Sequence, residues 1–178
     1  MATALKQERV NDSLDQPAGF MHFFKREMEQ IFVLELKTNE MIRKLADGAL
    51  YAPLKKAIQN YMIESRQHIN WLRTLGIRSN QISHENKEMP ALMIRPLYRD
   101  IDAIGKDTKL KEITLITGIQ KILFYQMAFY RSLCTAATKV YNFEWAEAFN
   151  AILKEKRRND TILSAIALSS VYRAAINE

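Results

Sequence analysis

The chain has 178 residues, of which 5 are Gly and 4 are Pro, where ordinary usage is about 7% and 5%. So few breakers exclude turn-rich sandwiches, small barrels and glycine-rich nucleotide loops, and 48% hydrophobic with 26% charged residues excludes a disordered chain. A net charge of +6 leaves contact with nucleic acid or an anionic surface open, and a single cysteine, Cys134, excludes an internal disulfide framework or a cysteine-built zinc cluster.

In chain order, residues 1–19 are polar, lack an apolar signal core and read as a flexible lead-in to one domain at 20–178. Pro17 and Gly19 precede a helix predicted at 20–47, whose seam Phe24, Met28, Ile31, Glu35, Thr38, Ile42 and Leu45 advances by alternating steps of four and three. Gly48 and Pro53 mark a short turn. A second helix follows at 54–75, with Leu54, Ile58, Tyr61, Ser65, His68, Leu72 and Leu75 on its seam, and Gly76 ends it. Pro90 and Pro96 lie in a middle segment closed by Gly105, where a shorter helix is expected at 90–104. The next long helix, 109–141, carries Ile113, Ile116, Gln120, Leu123, Met127, Tyr130, Cys134, Ala137 and Tyr141, with Gly118 inside it. The last, 143–176, has a looser seam of Ala148, Ile152, Glu155, Asn159, Ile162 and Ile166.

Such seams face a common axis, so the fold class is all-α, a four-helix bundle. Short connections make the first and second long helices antiparallel, and the third and fourth likewise. A plain up-down-up-down bundle does not need the long connection between the second and third. A crossover that returns the chain along the bundle does, which is the ferritin-like arrangement with a short fifth helix. No apolar run reaches about 18 residues, so no membrane span is expected.

Polar residues interrupt the seams at similar depth: Glu35, Glu64, Ser65, His68, Gln120, Gln126, Glu155 and Asn159. A buried carboxylate is costly unless paired, protonated or metal-bound. One explanation is metal. Di-iron bundles place a Glu on each of two helices and a Glu-x-x-His pair on each of the other two. Glu35, Glu64, His68 and Glu155 are the candidate ligands for Fe or Mn, with Gln126, Asn159 and Asp160 behind them. The third long helix has no Asp, Glu or His between Glu112 and Glu144, so the full di-metal set cannot be built. The other explanation is a hydrogen-bonded polar cluster that holds register, with a cation such as Arg66 or Lys156 neutralising a carboxylate. The expected cofactor is therefore none, or a single Fe or Mn ion.

Phosphate-cradle, nucleophile-elbow and H-E-x-x-H motifs are absent. No motif points to a small-molecule substrate, and a binding or structural role is favoured over catalysis. Phe124, Tyr125, Phe129 and Tyr130 cover more than one side of their helix, which suggests a homodimer or burial under Leu92, Ile94 and Leu97. The densest basic cluster, Lys154, Lys156, Arg157 and Arg158, is where a nucleic-acid module would contact phosphates.

Several segments resemble the YciE/YciF-type ferritin-like stress proteins over about residues 20–176. Leu34-Glu35-Leu36-Lys37 and Arg43-Lys44-Leu45-Ala46 stand where that family has Ala-Glu-Lys-Gln and an Ala-Lys-Leu-Ala-like stretch. Ile63-Glu64-Ser65, then His68-Ile69 and Leu72, match its Glu-Glu-Thr helix. Gln120-Lys121-Ile122-Leu123-Phe124-Tyr125-Gln126-Met127-Ala128 matches Gln-Lys-Val-Glu-His-Tyr-Glu-Ile-Ala, with Leu123 and Gln126 in place of both carboxylates. Lys154-Glu155-Lys156 and Asp160 stand in its Glu-rich last helix. The resemblance implies a cytoplasmic, dimeric ferritin-like bundle linked to stress, with Glu35, Glu64, Glu155 and Asp160 carried over. Ferroxidase activity is not implied, because the replaced positions are the ones that would complete a metal site.

Overall fold

A computed structural model of the chain describes residues 18–45, 51–104, 108–140 and 142–171. These form α1 (Ala18–Leu45), α2 (Ala52–Thr74), α3 (His84–Ala103), α4 (Thr108–Lys139) and α5 (Phe143–Ile166), which runs on into a π-helical turn at Ala167–Val171. Among the described residues there is no strand, and no helix is long and apolar enough to cross a membrane. All but two residues of the lead-in expected at 1–19, the turn around Gly48, Gly105, Tyr141 and the end of the last predicted helix lie outside the described residues.

The four-three spacing does in α1 and α2 what it predicts. Phe24, Met28, Ile31, Glu35, Thr38 and Ile42 are all buried, as are Leu54, Ile58, Tyr61, Ser65, His68 and Leu72. α1 packs on α2 and α4, and α5 packs on the same two, so the long helices close a ring around one core.

Their directions follow from contacts at the two ends. Phe24, early in α1, stacks on Trp145 at the start of α5, with centroids 5.7 Å apart. Trp71, late in α2, meets Phe149 edge-on at 5.1 Å. At the far end the Tyr51 N–H, just ahead of α2, donates to Glu112 in the early turns of α4. Thus α1 and α5 run one way, and α2 and α4 the other. Asn86 at the start of α3 donates to Glu29 at 2.7 Å, while Tyr98 near its end lines a groove with Lys37 and Glu40. α3 therefore runs parallel to α1 and returns the chain along the bundle. This is the ferritin-like topology with one long crossover.

Three local features depart from the sequence reading or complete it. α3 begins at His84, not residue 90, because the Ser83 hydroxyl caps it by accepting the Asn86 N–H at 3.3 Å. Pro90 and Pro96 lie within α3, each at the loss of one ladder hydrogen bond. Gly76, at φ 88°, lies just past the end of α2. The Ile77 N–H bonds Leu72 O and the Gly76 N–H bonds Arg73 O, the paired closure that requires a left-handed residue. Gly118 marks where α3 crosses α4. A Cβ there would lie 2.2 Å from Leu97 Cδ1, so a side chain at this position would force the Leu97 side chain to move.

The α5 seam holds at Ile152, Asn159 and Ile166 and is shifted by one residue at Phe149, Lys156 and Leu163, which replace Ala148, Glu155 and Ile162. The buried stripe is Ala146, Phe149, Ile152, Leu153, Lys156, Asn159, Leu163 and Ile166. Ile162 is exposed, and the Glu155 side chain reaches the rim, 36% accessible. Phe149 carries more apolar area than Ala148, and its burial turns Lys156 inward.

Candidate functional site

The seams converge on a polar layer built by α1, α2, α4 and α5. Glu35, on α1, is at its centre and has no exposed surface. Ser65 Oγ of α2 donates to Glu35 Oε2 at 2.7 Å. Tyr130 OH of α4 donates to Glu35 Oε1 at 2.9 Å. Lys156 of α5, also fully buried, places Nζ 2.6 Å from the same oxygen. One carboxylate thus ties together all four long helices, because each seam brings one donor to the same depth.

His68 links this centre to the rim. Its Nδ1 lies 3.6 Å from Glu35 Oε1, and its Nε2 is hydrogen-bonded to Glu155 Oε2 at 2.8 Å. Beside the centre, Tyr61 OH donates to Gln126 Oε1 at 2.8 Å. The Lys156 ammonium sits 4.9 Å from the Tyr61 ring centroid and 6.0 Å from that of Tyr130, so aromatic faces cover the sides of the cation that Glu35 does not reach.

The electrostatics follow from burial and this pairing. Burial alone pushes the Glu35 carboxyl up. The Lys156 ammonium, and then His68, outweigh it and hold the group at about 2, so Glu35 is ionised in the fold. Burial pulls the Lys156 amine down, and Glu35 opposes that. Burial and the negative charge of Glu35 raise both buried phenols, so Tyr61 and Tyr130 stay protonated and act as donors.

The sequence-predicted ligands do not all meet. Glu35, His68 and Glu155 form one chain of contacts. Glu64 turns away to accept from Asn159 Nδ2 at 2.7 Å and to pair with Arg158. Asp160 and Gln120 form a separate contact at 2.9 Å, shared with Ser164. Gln126 serves Tyr61, and its Nε2 has no hydrogen-bond partner among the described residues. Tyr61 and Tyr130 were legible only as seam positions. A mid-helix Tyr on a core stripe needs a partner for its hydroxyl, and that is the available signal.

A bound metal can be tested against this geometry. α4 contributes Leu123 and Gln126 where a di-metal set needs carboxylates. Both oxygens of Glu35 already carry close donors, one of them a cation. A metal ion and the Lys156 ammonium would compete for Oε1, so the residues as placed do not fit a metal. Among the described residues no group of three His, Cys, Asp or Glu side chains is set to hold one. The basic cluster also separates: Lys156 is buried, Arg158 is exposed but paired with Glu64, and Lys154 and Arg157 are exposed.

Comparison with known proteins places the chain. A family described as a domain of unknown function, DUF892, matches residues 20–176. The chain belongs to the DUF892 family. Protein YciF of Escherichia coli (strain K12) is 26% identical over 161 residues, spanning 85% of this chain and 96% of that protein. The crystal structure of the E. coli stress protein YciF superposes with a TM-score of 0.75 at 20% identity, covering 86% of this chain and 97% of that one. YcfI of Rhodopseudomonas palustris, described as a structural protein, gives 0.71 at 17%, covering 82% and 92%. This DUF892 chain thus shares its fold with those structures.

Proposed function

We propose that this DUF892 protein is a ferritin-like bundle in which an internal lysine has replaced the metal, and that it serves a cytoplasmic stress response by a structural or binding role without catalysis. The observation that carries this reading is the Lys156 ammonium 2.6 Å from Glu35 Oε1 at the centre of the bundle. A cation the chain supplies itself satisfies the buried carboxylate, and the layer then locks four helices in register. Support for the biological setting comes from relatives, one described as a stress protein and the other as a structural protein. Phe129 and Tyr130 are buried within the chain, while Phe124 and Tyr125 stay exposed on α4. We assign these two to the face through which a homodimer forms.

A second reading draws on His68, which touches both Glu35 and Glu155. These three would hold one Fe or Mn ion if Lys156 were displaced. Nucleic-acid binding through α5 has less support, since of the four cations in its cluster Lys156 is buried and Arg158 is already paired with Glu64.

Elemental analysis of protein purified without chelator, followed by Fe(II) and Mn(II) titration, separates these readings. The lysine-for-metal reading predicts no stoichiometric metal. Tight binding of one equivalent, lost in Glu35→Ala, would overturn it in favour of the second.

A further inference from the structure

Outside the bundle, α1 and α2 enclose a groove of roughly 440 Å³ whose charged lining is mostly cationic. Arg66 and Arg73 stand seven residues apart and so share a face of α2, and Arg43 of α1 lines the opposite wall. Arg73 Nη1 donates to Asn70 Oδ1 at 3.0 Å, and its guanidinium lies 5.8 Å from the ring centroid of Phe32 on α1, so it reaches across the cleft. The one carboxylate in the lining, Glu40, is already taken by Lys37 at 3.2 Å and Lys44 at 3.4 Å. Among the described residues Arg43 and Arg66 have no acidic partner. Lys156 and Arg158, by contrast, are each paired with a carboxylate, Glu35 and Glu64.

We propose that this groove is a binding site for a small anion carrying two or three adjacent phosphate groups. Guanidinium forks on two rigid helices match phosphate oxygens in pairs, which a single compact charge would leave partly unused. The volume suits one small ligand. No aromatic side chain lines the groove, so nucleic-acid bases would find no stacking surface there, and the phosphates themselves carry the recognition. The site is independent of the buried layer and of the metal question.

Titration calorimetry of the full chain with sodium tripolyphosphate, at a salt concentration near physiological, tests this. Saturable one-to-one binding is expected. Arg66→Gln should weaken it about tenfold or more, because a charge-assisted hydrogen bond is lost. Adding Arg43→Gln should weaken it further, and Lys154→Gln with Arg157→Gln on α5 should leave it unchanged. These side chains are exposed, so thermal melts of the variants should match the wild type. No saturable binding overturns the proposal. Equal losses from the α2 and α5 variants would reduce the site to general surface charge. Displacement of tripolyphosphate by a single-stranded oligonucleotide at lower phosphate concentration would replace the small anion by a nucleic-acid backbone.

Discussion

Lys156 and Arg158 stand two residues apart on α5, and each pairs with a glutamate of another helix. Lys156 and Glu35 are fully buried, whereas the side chain of Arg158 is 57% exposed and that of Glu64 17%. Two helical residues apart is a rotation of about 160°, so one cation enters the core and the other stays at the surface. The contrast shows why ion pairs of similar chemistry have unequal consequences. Water can solvate Arg158 if Glu64 is removed. Among the described residues Glu35 is the carboxylate that contacts Lys156, inside the core and away from water.

The largest expected effect breaks the buried member. Lys156→Met should cost about 3–5 kcal/mol in urea denaturation, because Glu35 is left as an uncompensated buried charge. Combining it with Glu35→Gln should restore most of that loss, since both charges are then gone. If the double variant is as unstable as the single one, packing around Lys156 and not its charge carries the layer.

Acid sharpens the same contrast. The Glu35 carboxyl titrates near 4.5 when unfolded and at about 2 when folded. The unfolded chain therefore takes up the proton first, and the stability Glu35 contributes above about pH 4.5 is lost as pH falls towards 2. The loss is on the order of 3 kcal/mol. It is read as the wild-type urea midpoint converging on that of Glu35→Gln across this window.

Tyr130→Phe removes one donor to Glu35 and leaves Ser65 and Lys156 in place. A loss of about 2 kcal/mol is expected in the same assay, the range for a hydrogen bond to a charged group. Smallest is Arg158→Ala, at most about 1 kcal/mol, because the pair is solvated and screened. A cost equal to that of Lys156→Met would erase the distinction between the two pairs.

How far the sequence carries this picture differs between helices. α1 and α2 were legible because in each a four-three series starting from large apolar residues, Phe24, Met28 and Ile31 or Leu54, Ile58 and Tyr61, continues along the helix. α5 was legible only at Ile152, Asn159 and Ile166, because adjacent apolar pairs such as Ile162-Leu163 satisfy two phases. The choice between them decides whether Glu155 or Lys156 faces the core, and Phe149 decides it through its size. Gly118 was unreadable for another reason. Its requirement comes from Leu97 on the crossover, a contact with no local trace. The missing carboxylates at Leu123 and Gln126 could be read directly, and Lys156 was already a candidate cation. What the sequence lacked was the rotation of α5 that brings it to Glu35.

The central claim is that the ammonium of Lys156 does in this bundle what a metal ion would otherwise do. Its most direct test is the urea midpoint of the wild-type protein with EDTA, with Fe(II) and with Mn(II), since any ligand bound only by the folded state raises that midpoint. The account predicts the same midpoint in all three. A rise with either metal that disappears in Glu35→Ala would contradict it.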